Sequence, residues 1–519
     1  MRNWLVKNRS DLAVLFVAAI ILLPFLGAAP LTDPDEAVYG QTAREMMLAG
    51  DWLSPRIFGN FWYDKPPLFY WMEMVSYTLL GISDWSSRLP SALLAWGTVV
   101  YLYIQARNIF NKPIAAVSAL ILSTSVGFMY VGKAAVTDMT LLFTLTVVMV
   151  SFYRKHYYWA YAFCGLALLA KGPVGYAFPA LIMLLYIGLT RQWTLLKTMK
   201  IPQGILVAFL IGLPWYVLMY QTHGSAFLDT FIGYHNITRF AAPEHPGQNS
   251  LFFFVPILFA AMIPWTAALI PAVCQAVKQK DSFRNARLFC LIWAAFIFIF
   301  FSLSKTQLVT YIAPMFPPVS LLIGAYLYQL WQQRRMSAVV LCSAYGLAAA
   351  VLLCNFIPLN EGAQFFQPAI RWSSLLLGAA FFLPAILWQQ RRPMQALCTA
   401  LAAMTVFSWA AFGWIIPSLS SHTTSFEAAY VLHDVYDGRS PLYIEKFLRP
   451  GLAYYSGLYG QEWTKEKQPD FAAILHHPDK TYIVMTRSTY QQLCRSVPEL
   501  LQYGIAAELP AHLILINHP

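Results

Sequence analysis

The chain has 519 residues, of which 58% are hydrophobic and only 11% charged. Its mean hydropathy is +0.52, a balance that excludes an ordinary water-soluble globule. The net charge of +11 does not point to nucleic acid, because the cations fall in alternate short loops between apolar runs and form no continuous basic face.

What remains is a polytopic α-helical membrane protein. About thirteen apolar runs are near the length that crosses a hydrocarbon core of about 30 Å as a helix. They lie near 12–29, 89–106, 114–131, 139–152, 157–170, 173–190, 202–220, 251–276, 288–303, 308–330, 337–357, 373–388 and 395–416. With that count, Arg107 and Lys112, Arg154 and Lys155, Lys278 and Lys280, and Arg391 and Arg392 share one side. The positive-inside rule makes that side cytoplasmic. Loops 31–88 and 221–250 and the tail 417–519 are then outside, the first two belonging to a transmembrane domain 1–416.

The first outside loop opens with Asp33-Pro34-Asp35-Glu36. It reads as a helix start, with Asp33 at the cap, Pro34 at the first helical position and Glu36 reaching back. Capping accounts for Asp33 and Glu36 but not for Asp35, which a spacing of four places on one face with Tyr39. Gly50 is the expected stop. The aromatic stretch through Phe61, Trp62 and Tyr63 suits the headgroup zone. Asp64-Lys65-Pro66-Pro67 follows. A lysine just ahead of a helix N-terminus opposes the dipole, whereas an anion placed there is stabilised by both, so Lys65 reads as half of a phosphate site.

Beyond that loop, the outside cations run against the topological bias and call for another explanation: Arg44, Arg56, Lys65, Arg88, Lys133, Lys171, Arg239, Lys305 and Arg371. Lys133 precedes Thr137 and Asp138, either of which serves as well to cap the next span. Lys171-Gly172-Pro173 repeats the lysine-before-proline pattern, with a snorkelling lysine as the ordinary alternative. In loop 221–250, His235 through Phe240 and Glu244-His245 raise a divalent metal ion as a cofactor, with Glu36 of the first loop and His235 as ligands, although the spacing matches no known ligand pattern. Lys305 and Tyr311 meet the membrane surface in a further outside turn. From 417 onward, alternating stretches such as 480–485 and 512–516 read as strands of a small α/β domain. No nucleotide-binding loop or nucleophile elbow is present.

Six pieces in order carry a resemblance: Asp35-Glu36 with Tyr39, Tyr63-Asp64-Lys65-Pro66, Asp138, Ala170-Lys171-Gly172, His235 through Phe240, and Lys305 through Pro314. Together they are similar to the polyprenyl-phosphate-sugar-dependent glycosyltransferases of the GT-C type. These include the protein O-mannosyltransferases, and the resemblance is strongest to the bacterial aminoarabinose transferases that modify lipid A. It implies an inner-membrane enzyme with periplasmic catalytic loops and a periplasmic C-terminal domain. The implied donor is a polyprenyl (undecaprenyl) phosphate sugar, and the implied acceptor is lipid A, lipopolysaccharide or another periplasmic molecule.

By the same resemblance Asp35, Asp138 and Lys65 are catalytic; Lys65, Lys171 and Arg239 hold a donor or acceptor phosphate; and Tyr39, Tyr63, Tyr311 and Lys305 line the pocket. One position departs, since the aminoarabinose enzymes carry arginine where this chain has Val38, which leaves the sugar open. Protein O-mannosylation and lipid-linked sugar flipping are the alternatives. Charge gathered at one membrane face, not at the midplane, favours the enzyme over a transporter.

Overall fold

A computed structural model describes residues 9–238, 250–333, 337–463, 474–475 and 477–517. Helix α1 (Arg9–Leu22) ends earlier than the apolar run predicts, and the chain turns through 23–30 before the outer loop. That loop contains α2 (Asp35–Ala49), a two-stranded ribbon of β1 (Arg56–Ile57) and β2 (Asn60–Phe61), and α3 (Leu68–Leu80). Gly50 ends α2 as expected: at φ 63° its amide reaches back to the carbonyls of Met46 and Met47, a left-handed stop that glycine adopts without penalty. Helix α3, too short to cross a bilayer, packs Tyr70, Met74 and Tyr77 against Ala43 and Met46 of α2.

The apolar helices follow: α4 (Asp84–Ile109), α5 (Lys112–Thr124), α6 (Val126–Lys133), α7 (Thr137–Tyr153), α8 (Tyr157–Lys171), α9 (Val174–Thr190) and α10 (Ile201–His223). After a π-helical segment at Asp229–Thr238 come α11 (Phe254–Ala261), α12 (Thr266–Lys278), α13 (Arg284–Leu303), a 3-10 turn at Val309–Met315, α14 (Phe316–Gln332), α15 (Ala338–Leu353), α16 (Gln367–Gln389) and α17 (Pro393–Ala410). Among the described residues, seven helical stretches are long and apolar enough to cross a membrane, or nine if each of two bent pairs is one span. The pairs are α5–α6, bent by 64°, and α11–α12, bent by 107°. The runs 114–131 and 251–276 were expected to be continuous. Each is instead broken, at Ser125 and at 262–265.

After residue 417 come α18 (Phe426–Val435), β3 (Leu442–Glu445), α19 (Arg449–Ser456), β4 (Gln461–Trp463), β5 (Tyr482–Thr486), α20 (Arg487–Ser496), β6 (Gly504–Glu508) and β7 (His512–Ile516). The sheet order is β4-β3-β5-β7-β6, parallel through its first three strands and antiparallel at β5–β7 and β7–β6. The period of two splits the apolar residues between two cores. Tyr482, Val484, Ile514 and Ile516 face α18 and α19, while Ile483, Met485, Leu513 and Leu515 face α20.

This C-terminal assembly clamps the outer loop. Asp33 was expected to cap α2, yet the structure puts Pro34 at that position with no side-chain cap. The Asp33 carboxylate instead accepts the amides of Ser425 at 2.6 Å and Gly451 at 2.9 Å. Burial pushes it up to about 7, with hydrogen bonds from Ser425 and Gly451 pulling the other way. A Cβ on Gly451 would lie 2.3 Å from the Asp33 oxygen, so the contact needs glycine. Arg44 of α2 adds hydrogen bonds to the carbonyls of Ala453 and Tyr454 at 3.0 and 3.1 Å.

Candidate active site

The antiparallel run of α7 and α8 puts the N-terminus of one beside the C-terminus of the other. Asp138, in the first turn of α7, and Lys171, the last residue of α8, each complement the dipole of their own helix. They meet there as an ion pair, with side chains only 11% and 13% exposed. The other Asp138 oxygen accepts from the Thr310 hydroxyl at 3.1 Å, and the Lys171 ammonium lies 4.7 Å from the centre of the Tyr311 ring. The 3-10 turn therefore closes this corner through Thr310 and Tyr311, while Lys305 stands exposed in the turn before it.

A second pair forms in the outer loop. Asp64 Oδ1 takes the Lys65 ammonium at 2.7 Å and His235 Nδ1 at 2.7 Å, and Trp62 packs edge-on to the His235 ring at 6.2 Å. Tyr39 joins the two corners. It rests on Phe69 and Tyr70 at 5.9 and 6.1 Å. Burial holds its hydroxyl well above the ordinary tyrosine value, and the charges of Asp64, Asp138 and Asp35 push the same way. Tyr39 thus lies within electrostatic reach of three carboxylates from two distant segments. Asp35 is the exposed one, in the first turn of α2, whereas Asp138 is 8% exposed.

The structure thus forms two corners, Asp64 with Lys65 and His235 and Asp138 with Lys171 and Tyr311, and the carboxylates of both, with Asp35, act on Tyr39. Tyr63 goes elsewhere: its ring packs on His223 and Phe227 at 5.3 and 5.7 Å, in a cluster with Leu169, Trp215 and Phe231. Arg239 lies outside the described residues.

The expected metal pairing of Glu36 with His235 does not form. Glu36 goes to Arg88, with oxygens 2.8 and 2.7 Å from Nε and Nη2, and also accepts the amides of Ala135 and Thr32. That leaves Asp64 and His235, two donors with Lys65 already on the shared oxygen. Among the described residues no group of three or more His, Cys, Asp or Glu side chains gathers; Glu244 and His245 lie outside the described residues.

Asp64 escaped the sequence reading as a site residue in its own right, although an acid beside Lys65 was the available signal. Glu73 was missed altogether. This lone acid in the apolar run of α3 is fully buried, and neither carboxyl oxygen has a hydrogen-bond partner among the described residues. Burial pushes it well above the ordinary carboxylate range, and the Glu36 charge adds to the shift. A carboxyl with a higher pKa folded than unfolded binds a proton on folding. Its contribution is complete below the unfolded value and is lost as pH rises through the folded one. Glu73→Gln should therefore gain thermal stability over the native protein as the pH is raised from about 5 to about 9. Melting curves in detergent check this; parallel pH profiles would mean that Glu73 does not carry the shift.

Residues 64–218 match the family model described as dolichyl-phosphate-mannose-protein mannosyltransferase. The chain is 30% identical over 331 residues to the undecaprenyl phosphate-alpha-4-amino-4-deoxy-L-arabinose arabinosyl transferase of Edwardsiella ictaluri, and 32% identical over 335 residues to the second such transferase of Pseudomonas fluorescens. The matched regions cover 62% of this chain in both cases, but only 59% and 56% of those relatives. In fold it is similar to ArnT from Cupriavidus metallidurans bound to undecaprenyl phosphate, with a TM-score of 0.81 at 22% identity over 98% of both chains. The chain thus shares the fold of ArnT and, over about three fifths of its length, is similar in sequence to the arabinosyl transferases.

Proposed function

We propose that the protein moves a sugar from a polyprenyl phosphate, undecaprenyl phosphate in a bacterium, to lipid A or lipopolysaccharide at the periplasmic face of the inner membrane. The observation that carries this reading is the two lysine–carboxylate pairs, Lys65–Asp64 and Lys171–Asp138, whose carboxylates both act on Tyr39, together with the similarity to transferases of that name. In this reading thirteen crossings form a transmembrane domain over 1–416, and loops 31–88 and 221–250 and a C-terminal domain at 417–519 share the periplasmic side.

The acceptor oxygen attacks the anomeric carbon as the bond from that carbon to the donor phosphate oxygen breaks, and polyprenyl phosphate leaves with the electron pair. Inversion at that carbon follows. Lys65 and Lys171, with Arg239, offset the charge gathering on the leaving phosphate, which a preorganised cation does best away from bulk water. A phosphate acceptor is already anionic and needs positioning; a hydroxyl acceptor needs a base, and the exposed Asp35 carboxylate takes that role. Tyr39 and Tyr311 wall the site. Tyr63 and its aromatic neighbours provide an apolar surface for the isoprenoid, and Lys305 gives the surface beside the site a further cation.

Purified protein supplied with an undecaprenyl-phosphate sugar and lipid A should yield lipid A heavier by one sugar residue in the mass spectrum. Val38, where the aminoarabinose enzymes carry arginine, makes the identity of that sugar a result of the same spectrum. The family model that matches residues 64–218 also makes a protein acceptor worth including. Transfer to peptide and not to lipid would favour O-mannosylation, and movement of donor across vesicles without transfer would favour a flippase.

A further inference from the structure

A small cavity of about 50 Å³ lies beside the site and has no part in the chemistry above. Its polar lining is Lys133, Thr32 and the Arg88–Glu36 pair, and its apolar lining includes Phe25 and Phe412. The ion pair is internally neutral, and every N–H of Arg88 is taken. Nε and one Nη2 proton go to Glu36, the others to the carbonyls of Leu26, Ala29 and Pro30 at 2.6 to 2.9 Å. The net charge of the cavity is therefore that of Lys133.

Lys133 is only 2% exposed. Its ammonium donates to the Pro24 carbonyl at 3.0 Å and stands 4.5 Å from the centre of the Phe412 ring. An ammonium has three donors; among the described residues the other two find no acceptor and no carboxylate pairs with it. The carbonyl end of α6 supplies part of the compensation, but a buried cation without an anion is costly to keep. The charged form of Lys133 thus lacks an anion among the described residues, in a cavity with room for about one phosphate group.

Two features say what kind of anion it is. Phe25, on the cavity wall, is 45% exposed and packs edge-on to Trp409 at 6.2 Å, itself 44% exposed. Trp372 and Trp414 pair at 5.6 Å and are similarly exposed. Aromatic side chains displayed this way belong to the headgroup layer of a bilayer, so this wall is one that a lipid reaches from the side. Tyr130, also on the cavity wall, lies within electrostatic reach of Asp35 and Asp138, which joins the cavity to the carboxylates around Tyr39.

We propose that this cavity seats a phosphate of the acceptor lipid, held by Lys133, while the donor phosphate is held separately at Lys65 and Lys171. The proposal rests on the transfer reaction proposed above and adds a division of labour between two anion sites. Keeping the two phosphates on separate cations prevents either lipid from occupying the other's place. Tyr130 then stands between the acceptor headgroup and the carboxylates of the transfer site.

The test uses the full chain in lipid nanodiscs, with lipid A, the same lipid stripped of its phosphates, and undecaprenyl phosphate as probes. Lys133→Gln should weaken lipid A binding and raise its KM at least about tenfold, the equivalent of about 1.4 kcal/mol. Undecaprenyl phosphate affinity and donor KM should stay within about twofold. Lys133→Arg should retain most of the lipid A affinity, and the dephosphorylated lipid should bind the native protein and Lys133→Gln equally weakly. Inorganic phosphate should not compete. Unchanged lipid A affinity in Lys133→Gln, loss of both lipids together, or competition by inorganic phosphate would each overturn the assignment.

If Lys133 had only a structural role, Lys133→Gln would change the melting temperature and spare the preference for phosphorylated lipid A. The binding arm needs no turnover. A native protein that transfers no sugar would sink the proposed reaction while leaving the Lys133 measurement to be decided by itself.

Discussion

Lys171→Met is expected to lower the turnover of sugar transfer by roughly a hundredfold to a thousandfold, the usual loss when one preorganised electrostatic partner of a developing charge is removed. Lys171 is held at the end of α8 by Asp138 and stacked over Tyr311, so its ammonium needs little reorganisation as charge builds on the leaving phosphate. The obvious alternative is that Lys171 merely neutralises Asp138. Breaking such a pair from one side strands a buried charge, and removing both partners relieves it. The double variant Lys171→Met, Asp138→Asn should therefore melt close to the native protein and still fail to turn over. Turnover restored in the double variant would reduce Lys171 to a structural partner.

The other large effect concerns folding. Arg88 is 6% exposed and Glu36 4%, and together they tie α4, the turn at 26–30, α2 and the start of α7 through eight hydrogen bonds. Arg88→Met leaves the buried Glu36 carboxylate without its counter-charge and three carbonyls without the Arg88 donors, for a loss of roughly 3–5 kcal/mol. Arg88→Lys should rescue only part of it, since an ammonium cannot reproduce the bidentate fork. Denaturant unfolding of the purified protein in detergent measures both. A native-like midpoint for Arg88→Met would show that this lattice does not hold the outer loop in place.

Much of this was legible in the sequence because hydropathy, caps and charge placement are local. Apolar runs became helices, Gly50 stopped α2, and the outside cations Lys65 and Lys171 each met a carboxylate, whereas Arg44 and Arg88 of the same group tie the fold together. Hydropathy does not register direction, however, so the bends at Ser125 and 262–265 were invisible. The pattern around Asp33 and Glu36 fits a capping box on spacing alone. What redirected both residues were partners far along the chain, Gly451 and Ser425 for one and Arg88 for the other. Lys133 already stood out as a cation against the topological bias, but its lack of an anion, like the lack of a partner for Glu73 among the described residues, is legible only once burial is known.

In the proposed reaction Lys65 and Lys171, 106 positions apart in the chain, hold one polyprenyl phosphate. Titration of undecaprenyl phosphate against nanodisc-embedded protein tests it most directly. The affinity should fall at least about tenfold in Lys65→Met and again in Lys171→Met, with the neutral polyprenol binding native and variant proteins alike. Native affinity for the phosphate in both variants would contradict the account.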